Sequence, residues 1–108
     1  MADPVLFYDS PHEFLSGYYP ARFRLRGVDW PTVEHYYQAQ KFPEHEWERV
    51  LSAPSARDAE QIGAAARGPW MHHWEDRRVL VMAEATSAKF EQNRPLRRLL
   101  AATEAATN

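Results

Sequence analysis

The rhythm of apolar and polar positions changes at Pro31: short alternations before it give way to steps of three and four after it. Residues 5–8 form a brief apolar run closed by the turn formers Asp9, Ser10 and Pro11, which predicts a short buried strand. An aromatic loop follows over 14–20. In FRLRGVDW, residues 23–30, the apolar Phe23 and Leu25 alternate with Arg22, Arg24 and Arg26. The chain turns at Gly27 and the apolar side resumes with Val28 and Trp30. That pattern predicts a small hairpin with one wet face.

Beyond Pro31 the pattern predicts helices to the end of the chain. Thr32 is placed to cap a helix over 33–42, which breaks at Pro43. A second, over 44–51, turns Trp47, Val50 and Leu51 inward and stops near Pro54. Ser55 with Asp58 has the spacing of a capping box and opens an alanine-rich helix that is expected to end at Gly68 and Pro69. From 74 to 90 the positions Val79, Met82, Ala83, Thr86 and Phe90 recur at helical spacing, predicting an amphipathic helix with these residues inward. Pro95 starts a last helix with Leu96, Leu99 and Leu100 facing in. The expected fold class is α+β: one compact, mostly helical domain over residues 1–108 with a small N-terminal sheet or hairpin.

Composition supports one core and narrows the chemistry. A chain of 108 residues, 44% hydrophobic and 13% aromatic, can fill a single interior but not two. A net charge of -2 supplies no overall field for a polyanion, which argues against a dedicated nucleic-acid module. The absence of cysteine removes disulfides, thiolate metal sites and cysteine nucleophiles together, and suits a reducing compartment. MADPVLFYDS has no basic start followed by an apolar run, and no apolar stretch is long enough for a membrane span. A cytoplasmic setting without membrane contact is expected.

Several features invite a site and lose it on inspection. His72 and His73 are adjacent, so on a helix they point about 100° apart, whereas zinc helices space their histidines four residues apart; no metal is expected. The glycines at 17, 27, 63 and 68 match neither dinucleotide nor P-loop spacing. Arg22, Arg24 and Arg26 read as the solvated face of the hairpin. Tryptophans 30, 47, 70 and 74 are core by default, although Trp70 and Trp74 flank a polar corner bounded by glycine and proline.

The helix over 33–42 is different. Glu34, Gln38 and Lys41 share one face with Tyr37 beside them, while Val33, Tyr36 and Ala39 turn to the core. Spacing leaves two readings open: a site, or a Glu34 that only complements the helix dipole with Gln38 and Lys41 in solvent.

The segments FLSGYYPARFRLRGVDWPTVEHYYQAQKF (14–42), ARDAEQIG (56–63), the pair Trp74 and Glu75, and KFEQNRPLRRLLAATEA (89–105) occur in an order and spacing that resemble the NADAR family of YbiA-like proteins. The resemblance covers nearly the whole chain, and WPTVEHYYQAQKF is its most specific part. It implies a compact α+β domain and cleavage of a ribose C1–nitrogen bond. The substrates implied are early riboflavin-pathway intermediates or ADP-ribosylated guanine, including guanine in DNA. By motif, Glu34 takes the place of the glutamate of the TxEH element and Trp74 that of the tryptophan of the W-E element, both as catalytic residues. Gln38 and Lys41 match the QAQK element and, with Tyr37 and Phe14, are implied to bind substrate. The chemistry agrees, because a departing base leaves oxocarbenium character that a fixed carboxylate can face. No cofactor is implied.

Two departures accompany the resemblance. The family's FLSNFY loop has Gly17 at its asparagine position, and a further C-terminal segment carrying an acidic residue is not in this sequence. The readings that compete with an N-glycosidase are a non-catalytic module for ADP-ribose or a related nucleotide, and an inactive homologue.

Overall fold

The structure is a computed structural model that describes residues 12–107; the strand expected over 5–8 lies outside the described residues. A 3-10 turn, Glu13–Leu15, opens the described chain within the aromatic loop. Strands β1 (Phe23–Leu25) and β2 (Val28–Trp30) pair antiparallel, with Phe23 opposite Trp30 and Leu25 opposite Val28. Arg26 and Gly27 connect them with φ of 55° and 75°, the left-handed pair that a two-residue hairpin loop needs. Arg26 is not a residue that favours this region, and its Nε–H donates to the Tyr36 hydroxyl at 2.8 Å, tying the turn to the core.

Helix α1 (Val33–Ala39) follows, capped by Thr32, whose Oγ1 accepts from the His35 backbone N–H at 3.0 Å. It is shorter than the expected 33–42. Pro43 disfavours helical geometry at the residue before it, so Lys41 and Phe42 bond back only three residues, to the carbonyls of Gln38 and Ala39. A 3-10 turn at Glu44–Glu46 leads into α2 (Trp47–Leu51), with Val50 buried and Trp47 and Leu51 half-buried. Helix α3 (Ala56–Ala64) begins at the Ser55 cap, which takes the Asp58 N–H at 3.1 Å. It closes before Gly68, because residues 65 and 66 already bond three residues back and Pro69 starts a separate 3-10 turn, Pro69–Met71.

Helices α4 (Trp74–Gln92) and α5 (Arg94–Thr107) complete the domain. The core-facing stripe of α4 is Trp74, Val81, Ala85 and Ala88, with Lys89 and Phe90 at its end. Val79 and Ala83, expected inward, point to solvent, Val79 at 65% exposure. Two interleaved apolar stripes run along this helix, and the buried one includes the small Ala85 and Ala88; periodicity alone does not distinguish them. In α5, Leu96 is buried and Leu100 half-buried, but Leu99 is exposed.

Helix α1 is the centre, packed by α2, α3, α4 and β2. Its Tyr36 meets Trp30 edge-on at 5.2 Å within the main core, which also holds Phe23, Val33, Val50 and Ala59. Truncating the fully buried Trp30 to alanine would cost about 3–5 kcal/mol. A smaller cluster of Phe14, Ala21, Phe90 and Leu96 packs the aromatic loop onto α4 and α5. No helix among the described residues is long and apolar enough to cross a membrane.

Candidate active site

Surrounding α1 on nearly every side buries residues that a surface helix would show to water. Glu34 is 8% exposed and Gln38 4%. Gln38 Nε2 donates to Glu34 Oε2 at 2.6 Å, one helical turn apart. Glu34 Oε1 makes no hydrogen bond among the described residues. Burial pushes the Glu34 carboxyl above the ordinary carboxylate range; the Gln38 bond lowers it, the Glu60 charge raises it and Lys41 lowers it. The two carboxylate oxygens are thus distinguishable: one is held by Gln38, and the other has no hydrogen-bond partner among the described residues.

Gly63 makes this arrangement possible. A Cβ there would fall 1.8 Å from Gln38 Oε1 and 2.9 Å from Gln38 Cβ, so α3 can approach α1 only where it has no side chain. The same residue's carbonyl accepts from Lys41 Nζ at 3.4 Å. Gln38 Oε1 itself is buried without a partner among the described residues.

Aromatic groups close the other side. Tyr37 meets Trp74 edge-on at 5.2 Å, and Lys41 Nζ and the Arg77 guanidinium lie 5.7 and 5.4 Å from the Trp74 ring centre. Burial lowers the Lys41 ammonium, while Glu34, Glu60 and Glu75 oppose that shift. An open groove of about 310 Å³ begins at Tyr37 and runs along Arg78, Val79, Met82 and Ala83 on the outer face of α4.

Of the residues expected at a site, Glu34, Gln38, Lys41, Tyr37 and Trp74 come together, through hydrogen bonds, ring contacts and charge. Phe14 does not join them. Its side chain is 3% exposed in the smaller cluster, edge-on to Phe90 at 6.2 Å. Its backbone matters instead: the carbonyls of Phe14 and Ser16 accept from Lys89 Nζ, at 2.5 and 3.0 Å. This fixes the loop whose Gly17 carbonyl takes the Glu34 N–H at 3.0 Å.

Two residues of the site escaped the sequence reading. The Tyr18 hydroxyl donates to Glu60 Oε1, and burial, then Glu60, then Glu34 push the Tyr18 phenol up. Glu60 lies in the ARDAEQIG segment, the one signal that could have drawn attention to it. His35 is the opposite case, buried on the same helix yet fully engaged. Its Nε2–H donates to the Ala53 carbonyl at 3.0 Å, which leaves Nδ1 to accept from Thr32 Oγ1 at 2.8 Å. His72 and His73 are exposed, and no group of three metal-ligating side chains occurs among the described residues.

A desolvated carboxylate with one oxygen unbonded among the described residues, under the influence of an ammonium that lies over an indole, is equipped to stabilise a developing cation or to take a proton from water. A helical α+β domain built around such a helix defines a recognised class. The NADAR domain model matches residues 6–107, and the chain belongs to this family. It is 42% identical over 106 residues to the riboflavin biosynthesis protein VVA0006 of Vibrio vulnificus, covering 95% of this chain and 29% of that protein. It is 36% identical over 107 residues to the N-glycosidase YbiA of Escherichia coli, covering 95% of this chain and 67% of that one. The NMR structure of Escherichia coli YbiA superposes with a TM-score of 0.77, over 88% of this chain and 57% of that one. The chain therefore spans less than a third of the Vibrio protein and about two thirds of YbiA.

Proposed function

We propose that this domain is an N-glycosidase that hydrolyses a ribose C1–nitrogen bond, with Glu34 as its catalytic carboxylate. The observation that carries the reading is the asymmetry of buried Glu34: Oε2 is fixed by Gln38, and Oε1 has no hydrogen bond among the described residues. As the C1–N bond stretches, positive charge grows at the sugar and the carboxylate faces it. Water then bonds to C1 and gives its proton to Glu34; the departing nitrogen takes a proton from solvent, and Glu34 returns its own to solvent. Trp74 and Tyr37 supply aromatic surface for the base or the flattened sugar. Gln38 holds Glu34 in register, and Lys41 offers a point charge to hydroxyl or phosphate oxygens.

The names of two relatives support this reading, one an N-glycosidase and one a riboflavin biosynthesis protein. The substrate proposed is a small nucleotide-type molecule, in the first place a ribosylamino-pyrimidine of the riboflavin pathway, and the setting proposed is cytoplasmic. ADP-ribosylated guanine, free or in DNA, offers the same bond and is the second substrate to try.

The test is mass-spectrometric detection of released base and sugar from each substrate, with Glu34→Gln run in parallel. Release by the wild type that falls at least about 100-fold in the variant is expected. Binding of either substrate without release would instead make the domain a nucleotide-binding module.

A further inference from the structure

Around the free oxygen of Glu34 the chain closes a ring. The Glu34 N–H bonds the Gly17 carbonyl, and a Cβ at Gly17 would stand 3.8 Å from Glu34 Oε1, so this loop runs beside the free oxygen. The next residue, Tyr18, donates its hydroxyl to Glu60 on α3. One turn along α3, Gly63 lies against Gln38, and Gln38 returns to Glu34 Oε2 at 2.6 Å. Only one link in this ring is a contact between two solvent-accessible side chains, and it joins residues 42 positions apart. A surface hydrogen bond of that kind adds about 1 kcal/mol to stability at most, so stability alone gives it little purpose.

We propose that Glu60, held in place by the Tyr18 hydroxyl, is the second working carboxylate of this site, a positioning residue that acts on the reaction through Glu34. The inference rests on the reading of Glu34 as the catalytic group. Glycosidic cleavage is commonly served by two carboxylates in unequal environments, and here one is buried and the other exposed. Glu60 adds negative charge on the loop side of Glu34, which strengthens the hold of Glu34 on a proton and adds to the field that a cationic sugar meets. The groups facing this pair are Lys41 from α1, Arg57 from α3, Tyr18 from the loop and Glu75 from α4. Lys41 opposes Glu60 at Glu34, Arg57 acts on Tyr18, and Glu75 acts on Lys41. Without the Tyr18 bond, Glu60 would extend into solvent and its influence would be screened.

The test is a pH titration of the Glu34 side-chain carbon by NMR on glutamate-labelled protein, its signal assigned with Glu34→Gln. Wild type, Glu60→Gln, Glu60→Lys and Tyr18→Phe are compared. The Glu34 midpoint is expected to move to lower pH in Glu60→Gln, further in Glu60→Lys, and least in Tyr18→Phe, with thermal unfolding little changed. The acid limb of kcat/KM should move in the same order. A Glu34 midpoint that stays put in all three folded variants overturns the proposal. The titration needs no substrate, so an absence of turnover in the wild type would count against the N-glycosidase reading alone.

Discussion

Glu34 and Lys89 are both buried charges, neither lies in an ion pair among the described residues, and the structure treats them in opposite ways. Lys89, 1% exposed, donates to the carbonyls of Phe14 and Ser16 and lies 5.5 and 5.1 Å from the Tyr19 and Phe90 ring centres. Its charge is spent on holding a loop. Glu34 has one oxygen held and the other without a hydrogen-bond partner among the described residues. A buried charge that is engaged stabilises a conformation; one left half-engaged is costly and is where a ligand can complete the bonding. The two are also connected, since the loop held by Lys89 carries the Gly17 carbonyl that positions the Glu34 backbone.

The largest expected effects separate these roles. Glu34→Gln should lower kcat by at least about 100-fold while leaving stability unchanged or raised, because it removes a buried charge. Lys89→Met should do the reverse in kind. Two carbonyls lose their donor, and stability is expected to fall by about 2 kcal/mol in a urea titration, partly offset by the relief of burying an ammonium. Equal loss of stability in both variants would erase the comparison.

Gly63→Ala tests whether the hold on Glu34 Oε2 depends on close helix packing. The added methyl must displace Gln38, at an expected cost of about 1–3 kcal/mol and with a loss of activity. A crystal structure of the variant should show the 2.6 Å bond to Glu34 broken.

The pH dependence of stability separates the same two residues, with opposite signs. Burial lowers Lys89 from 10.5 to about 8, so the unfolded chain binds more protons between those values. Stability should therefore rise as pH climbs from about 8 to 10.5, and this rise should vanish in Lys89→Met. Glu34 is raised above its ordinary 4.5, so its contribution favours the folded state below that value and is lost as pH rises through the folded-state value. Glu34→Gln should gain on the wild type at neutral pH, and the gap should close in acid. Parallel unfolding curves across pH would show both.

What sequence made legible follows the range of the forces involved. The hairpin, its Gly27 turn and the Thr32 and Ser55 caps were readable because neighbouring residues determine them. The shared face of Glu34, Gln38 and Lys41 was readable for the same reason, since helical spacing sets it. Whether that face is wet or buried was not, because α3 and the Gly17 loop cover it and both come from elsewhere in the chain. Phe14 was expected to meet substrate because it is aromatic and near the motif, but its side chain packs on Phe90 and only its carbonyl serves the site. Nothing local to Lys89 in the sequence marks its two carbonyl partners in the loop. The outward turn of Val79 has a similar origin: the stripe of α4 that is buried is the one that includes Ala85 and Ala88.

The most direct test of the central claim is hydrolysis of a ribosylamino-pyrimidine in water enriched with oxygen-18, followed by mass spectrometry of the released sugar. The account predicts heavy oxygen on the ribose freed by the wild type and a rate at least about 100-fold lower with Glu34→Gln. Equal release by the two proteins, or sugar freed without the label, would contradict it.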